Sequence, residues 1–204
     1  MSQKKFYLLQ VNDALFPIGA YSHSQGLETY IQNGIVHDEK TAEEYIKNKI
    51  KWNFATTELL SVKLAYESAE AERLEELEEL EEILEASRIP MEQRDAVRKM
   101  GSRFVKTIEK LDLEINETGI YKEYVTARKG KNISHSCVYG VFCSALGIEL
   151  EEALEHYLYA QTSAMVTNCV KTIPLSQSVG QKLLSRCFFE FQEVLETLKT
   201  QTKE

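Results

Sequence analysis

The sequence predicts an all-α protein: a single-domain bundle of roughly eight to ten helices around one central buried helix. Apolar residues recur at spacings of three and four along most of the 204 residues, whereas strand-like alternation is nowhere sustained. Only 3 residues are Pro, 9 are Gly and 43% are apolar, which suits a compact helical core. The segment 134–146 is apolar on nearly every face, as expected of a buried helix.

The N-terminal part predicts two short helices followed by a long one. The first contains Phe6 and Leu9 and ends at a turn in residues 17–19, where Pro and Gly stop a helix. The second is expected over residues 22–31, before Asn33 and Gly34.

The long helix is amphipathic and is expected to begin with a capping box. Thr41 precedes Glu44 by three residues, the spacing at which the two side chains cap each other's backbone amides. Apolar residues then continue at helical spacing as far as Leu64.

Residues 67–85 hold ten Glu and one Arg, yet four leucines follow helical spacing within them: Leu74, Leu77, Leu80 and Leu84. This pattern predicts a solvated acidic helix docked along one narrow edge. Because like charges four residues apart destabilise an isolated helix, docking must hold it in place.

The C-terminal part predicts five further helices. They are expected from Pro90 to about Leu111, then over residues 115–127, 134–146, 149–170 and 175–199. Gly147 is expected to end the buried helix, and Ile173-Pro174 to separate the last two.

Charge and composition exclude several classes of protein. A net charge of −8 repels a phosphate backbone, so nucleic acid is not an expected partner. The first fifteen residues do not resemble a signal peptide, and the most apolar stretch, residues 137–146, is about half of what a membrane helix needs. We expect a cytoplasmic protein whose four cysteines are free thiols in helices.

The sequence lacks the motifs of independent catalysis: GxxxxGK[ST], GxGxxG, HExxH and GxSxG. We therefore predict that the chain is not an enzyme and holds no cofactor. The richest polar segment is residues 17–28, PIGAYSHSQGLE, for which the residues allow three interpretations. It forms helix caps through Ser22 or Ser24, it presents a surface to a partner, or it is a hydrolase site that uses Ser22, His23 and Glu28.

At this segment the sequence resembles a known family. Residues 15–28, LFPIGAYSHSQGLE, are similar to the N-terminal signature of urease accessory protein F. Glu92-x-Arg94 followed by Met100-Gly101 resembles a degenerate form of that family's middle motif. Its C-terminal half is matched by residues 135–147, YLY at 157–159, TIPLSQ at 172–177 and Gly180-Gln181.

The resemblance implies a non-enzymatic, often dimeric adaptor in nickel insertion into urease. Its partners would be an accessory protein of the D/H type, a GTPase of the G type that binds the nucleotide, and apo-urease. The partner-binding residues that it implies are Pro17, Gly19, Tyr21, Ser22, His23, Ser24, Gly26, Glu28, Lys171 and Gln177.

Two residues depart from the family pattern. Lys171 stands where the family commonly has Arg, and Ser176 stands where it commonly has Gly. An arginine finger needs a planar guanidinium with several donors, so Lys171 argues against that form of GTPase activation. Lys171 is also expected simply as a cation near a helix C-terminus.

Nickel accepts imidazole and thiolate ligands, so a nickel-storage protein is the alternative to an adaptor. His23 is the candidate ligand, without a defined partner set. His135 and Cys137 are two residues apart and point to different helix faces, so we expect His135 to be a core residue. Near the C-terminus, two of Phe188, Phe189 and Phe191 are expected to pack in the core, and the third to serve as an exposed anchor.

Overall fold

The computed structural model describes residues 3–19, 26–88 and 91–201, without the side chain of Gln93. These residues contain helices and no strand, which confirms the all-α prediction. No helix among them is long and apolar enough to cross a membrane. The α-helices are α1 Gln3–Val11, α2 Leu27–Gln32, α3 Glu39–Lys49, α4 Leu60–Glu70, α5 Leu74–Ser87, α6 Met91–Ile108, α7 Gly119–Ala127, α8 His135–Ala145, α9 Leu150–Thr172, α10 Gln177–Arg186 and α11 Phe188–Thr200.

The chain forms two compact units. Of the described residues, the first comprises 3–19, 61–88 and 91–156, and the second comprises 26–60 and 157–201. That they form one domain stays a prediction.

Helix α8 is the core of the first unit. All nine residues from His135 to Cys143 are buried, and α6 and α7 pack against this helix. Tyr139 donates a hydrogen bond to the carbonyl oxygen of Ala153 at 3.0 Å, which ties α8 to α9. The prediction of a central buried helix is thereby confirmed within this unit.

The predicted acidic helix over residues 67–85 is divided, because α4 runs to Glu70 and α5 begins at Leu74. Helix α5 docks as predicted, through Leu77, Leu80 and Leu84, on the side that packs against α7. Ion pairs support the docking, from Lys131 to Glu78 and from Arg128 to Glu82, each at 2.7 Å. One carboxylate differs from the expectation of a solvated face, because Glu81 is only 1% exposed.

The capping box of helix α3 begins three residues earlier than predicted. Asp38 is the N-cap, and its carboxylate accepts from the backbone amide of Thr41 at 2.8 Å. The hydroxyl of Thr41 accepts in return from the amide of Asp38 at 3.0 Å. The box is therefore Asp38 with Thr41, rather than Thr41 with Glu44, because Thr41 occupies the third helical position.

The predicted long helix is interrupted by a π-helix, Ile50–Leu59, that links α3 to α4. Its buried residues are Ile50, Phe54, Ala55 and Leu59, and α11 packs against it. Ion pairs join these elements, from Lys47 to Glu190 and from Lys51 to Glu193, each at 3.0 Å. A regular α-helix was the expectation, since apolar spacing alone does not distinguish the two helix types.

Two other predicted helices are divided. Residues 115–127 form a 3₁₀ turn, Glu114–Asn116, and then α7. Residues 175–199 form α10 and α11, which meet at Cys187. The amide of Cys187 bonds to the carbonyl of Leu184, three residues back, so the chain tightens there before α11 starts.

The start of α11 corrects a prediction about the aromatic residues. Phe188 is 47% and Phe189 is 65% exposed, and Phe191 is only half-buried. None of the three is a core residue, because Glu190, which pairs with Lys47, takes the buried position in this turn of α11. The four cysteines, in contrast, are free and buried as predicted.

Candidate partner-binding site

The first part of the 15–28 segment follows α1 and lies against α6 in the first unit. The ring of Phe16 packs on Phe104, with ring centroids 5.7 Å apart, and Arg103 donates to the carbonyl oxygen of Ile18 at 3.4 Å. Phe16 and Ile18 are buried, so these contacts fix the turn to the helix.

The alternate residues of this turn point outward. Leu15 is 87% exposed and Pro17 is exposed, while Gly19 is half-buried. The amide of Leu15 donates to the Asp13 carboxylate at 2.7 Å, which helps to set the turn. Pro17 and Gly19 were predicted contact residues, whereas Leu15 was not. Leu15 could have been identified from the sequence, because it is an apolar residue beside a predicted tight turn.

The middle of the segment lies outside the described residues. These are residues 20–25, which include the candidates Tyr21, Ser22, His23 and Ser24. The hydrolase arrangement and the role of His23 as a metal ligand therefore stay predictions.

Gly26 and Glu28 begin the part of the segment that lies in the second unit. Gly26 is the N-cap of α2 with φ of +93°, a left-handed conformation that favours glycine. Gly26 has no side chain with which to cap this helix, and because Ser22 and Ser24 lie outside the described residues, capping by either of them stays a prediction. The predicted helix over residues 22–31 accordingly starts at Leu27. Glu28 is exposed in its first turn, where the helix dipole favours a carboxylate.

Lys171 and Gln177 lie on either side of the connection between α9 and α10. Lys171 is exposed in the last turn of α9, and Gln177 is the exposed first residue of α10. Ile173 is buried between them. The hydroxyl of Ser176 accepts from the amide of Val179 at 3.2 Å, so the Ser at this position caps α10.

The structure thus places the predicted contact residues in both units. Pro17 and Gly19 belong to the first unit, and Gly26, Glu28, Lys171 and Gln177 to the second. Within the second unit, Glu28 and Lys171 present opposite charges at a helix start and a helix end.

His135 is a core residue, as predicted. It is 3% exposed, and its ring lies 5.5 Å from that of Phe104 and 6.2 Å from that of Tyr139, between centroids. Burial lowers the pKa of His135 to about 4, so the imidazole is neutral at pH 7. Among the described residues, no three His, Cys, Asp or Glu side chains are placed to hold a metal ion together.

The model of the protein family described as UreF matches residues 36–188, most of the chain. The chain belongs to the UreF family. UreF membership makes it a urease accessory protein, in a family that is generally not catalytic and works with partners in urease maturation. The match includes Lys171 and Gln177. The 15–28 segment precedes it, so the likeness of that segment to the UreF signature is carried by its own residues.

Proposed function

We propose that this UreF-family chain is a non-enzymatic adaptor that promotes nickel insertion into urease. It would bridge an accessory protein of the D/H type and a GTPase of the G type to apo-urease, as a homodimer. The observation that carries this proposal is the UreF match over residues 36–188. In this scheme the GTPase partner binds the nucleotide, and the assembled complex, rather than this chain alone, handles nickel.

The contact surface that we propose for the GTPase includes Lys171 and Gln177. Both are exposed at helix ends, and the start of α10 is capped by the hydroxyl of Ser176. Rigid helix ends favour binding because little conformational entropy is lost when the partner docks. Lys171 would meet a carboxylate of the partner as a single positive charge, instead of inserting as an arginine finger.

Co-purification with the three candidate partners tests the adaptor role directly. The full chain is mixed with the D/H-type protein, the G-type GTPase and apo-urease, and nickel-dependent urease activity is measured with and without it. A complex that contains this chain, together with activation that requires it, is the expected result. Failure of a folded, helical chain to bind any of the three would overturn the proposal.

Lys171→Gln tests the proposed contact, and Lys182→Gln is its matched control. Both lysines are exposed in the second unit, on consecutive helices, so each change removes one surface charge. We expect Lys171→Gln to weaken GTPase binding by about tenfold through loss of one charge pair, and Lys182→Gln to leave it unchanged. Equal binding by the two variants would exclude Lys171 from the contact surface.

A further inference from the structure

Helix α6 of the first unit has two chemically distinct faces. Its buried face carries Met100, Phe104 and Ile108 and packs against α8. On the opposite side, Lys99, Arg103 and Lys106 lie within about 60° of one another around the helix axis, given 100° per residue. All three are exposed, as is Lys110 in the turn that follows the helix. We call these four residues the α6 cationic face.

The four cations of this face make no ion pair within the described residues. The nearby acidic side chains on α6 do not neutralise it, because Asp95 pairs with Arg98 at 3.7 Å instead. Glu92 is one turn or more before Lys99, and Glu109 flanks the face at its edge. In a chain with 32 acidic and 24 basic residues, cations on several other surfaces are paired: Lys47, Lys51, Lys131 and Arg186. The α6 cationic face therefore keeps its charge available to a partner.

Exposed apolar residues adjoin the α6 cationic face. Arg103 donates a hydrogen bond to the carbonyl oxygen of Ile18, and the ring of Phe104 packs on that of Phe16. These contacts fix the turn that carries Leu15 and Pro17 beside the helix. The result is a row of positive charges about 10 Å long within the helix, at 1.5 Å per residue from Lys99 to Lys106. Lys110 extends this row in the following turn, and an exposed leucine and proline lie next to it.

We propose that the α6 cationic face, with Leu15 and Pro17, binds a carboxylate-rich segment of a protein partner that also carries an apolar side chain. The inference rests on the proposed function only in that the partner belongs to urease maturation. Positive charges on one surface and carboxylates on the other steer association, and the desolvated leucine supplies affinity that charge alone does not.

Two other anionic partners fit the surface less well. Nucleic-acid binding depends on many phosphate contacts, whereas this surface presents four cations beside two exposed apolar side chains. Binding to an anionic membrane draws on clusters of basic residues with a broad apolar face, whereas this surface presents one leucine and one proline.

The test is a titration of the full-length chain against each of four probes, at low and at physiological salt. The probes are the D/H-type protein, the G-type GTPase, apo-urease and poly-L-glutamate. The triple variant Lys99→Gln, Lys106→Gln, Lys110→Gln keeps the bond of Arg103 to Ile18. Its control neutralises three exposed lysines elsewhere: Lys40→Gln, Lys122→Gln and Lys129→Gln.

We expect the wild-type chain to bind at least one of the three proteins in a salt-sensitive manner. The α6 variant should lose at least about tenfold in affinity and much of the salt dependence, whereas the control should not. Leu15→Ser should weaken the same complex without changing its salt dependence.

Equal affinities of the α6 variant and the control for every protein partner would overturn this inference, while the adaptor proposal would stand. If the wild-type chain binds none of the three proteins, the adaptor proposal fails. The inference about the α6 cationic face then depends on poly-L-glutamate. It survives only if the wild type and the control bind this polymer and the α6 variant does not. Single-stranded DNA and phosphatidylserine vesicles serve as two further probes. If the α6 variant loses binding to one of these and to no protein partner, the inference is also overturned.

Discussion

Single glycines set how closely helices approach in both units. In the first unit, Gly101 of α6 lies against the backbone carbonyl of Ile133, and Gly140 of α8 lies against α4 at Val62. In the second unit, a Cβ on Gly180 would come within 2.7 Å of a methyl group of Val170. The contacts at Gly101 and Gly140 are with backbone, which cannot move aside as a side chain can.

Gly101→Ala is expected to destabilise the fold by about 2 to 3 kcal/mol, because the added methyl group overlaps the Ile133 carbonyl and pushes α6 from α8. Chemical denaturation measures the change in the free energy of unfolding. Ser102→Ala, at the neighbouring half-buried position, should stay within about 0.5 kcal/mol of the wild type. Two equally stable variants would show that α6 and α8 do not approach this closely.

Burial of His135 is expected to make the stability of the fold depend on pH. Its pKa is about 4 in the fold and 6.5 without burial, so the unfolded chain takes up a proton first as pH falls. The contribution of His135 to the free energy of unfolding is fully present above the pKa of the unfolded chain. It is lost as pH falls from about 6.5 towards 4.

Between pH 7 and pH 5, His135 should therefore cost the wild type about 2 kcal/mol of unfolding free energy. His135→Gln removes the titrating group. The free energy of unfolding of this variant should therefore fall by about 2 kcal/mol less than that of the wild type over the same interval. Urea denaturation at the two pH values measures the difference. An identical pH dependence in the two proteins would contradict the account.

At the scale of the element, α5 shows how an acidic helix is held in place. The buried carboxylate of Glu81 accepts from the Tyr124 hydroxyl on α7 and from the backbone amide of Ser134 at 2.9 Å. Burial, followed by the nearby Glu81 charge, raises the pKa of Tyr124, so the phenol stays protonated as the donor. Glu81 thus joins α5 to α7 and to the start of α8.

Glu81→Ala should destabilise the fold by about 3 kcal/mol, because it leaves the Ser134 amide and the Tyr124 hydroxyl buried without their acceptor. Glu75→Ala, on the exposed face of the same helix, should have little effect. Thermal or urea unfolding of both variants measures this contrast. A loss at Glu75 as large as that at Glu81 would mean that helix propensity, rather than the buried carboxylate, holds α5.

At the scale of the whole molecule, the four buried cysteines report on unfolding in both units. Cys137 and Cys143 belong to the first unit, and Cys169 and Cys187 to the second. Burial raises the pKa of Cys143, of Cys169 to about 12 and of Cys187 to about 11. The reactive thiolate is therefore scarce in the folded chain at neutral pH.

We expect no thiol to react with a disulfide reagent in the native protein, and all four to react over one denaturant range if the two units unfold together. Mass spectrometry of the labelled cysteines at each urea concentration separates the units. Ser185→Cys, at an exposed position, should react without denaturant and confirm that the reagent is active. Different midpoints for the two cysteine pairs would contradict the single-domain prediction.

The sequence alone determined the fold class, the buried helix α8 and the docked edge of α5, because helical spacing and a helix that is apolar all round depend only on local order. It also determined the family, through motifs distributed along the chain. It did not determine the π-helix, the break at Cys187, the outward turn of Phe188 and Phe189, or the burial of Glu81.

The burial of Glu81 and the exposure of Leu15 were decided by tertiary structure, because each depends on groups that are distant in sequence. Glu81 is buried since Tyr124 and Ser134 supply its donors, and Leu15 is exposed since Phe16 and Ile18 occupy the contact with α6. For the α6 cationic face, the sequence determines the spacing of the basic residues. Packing on α8 determines which side of the helix faces outward.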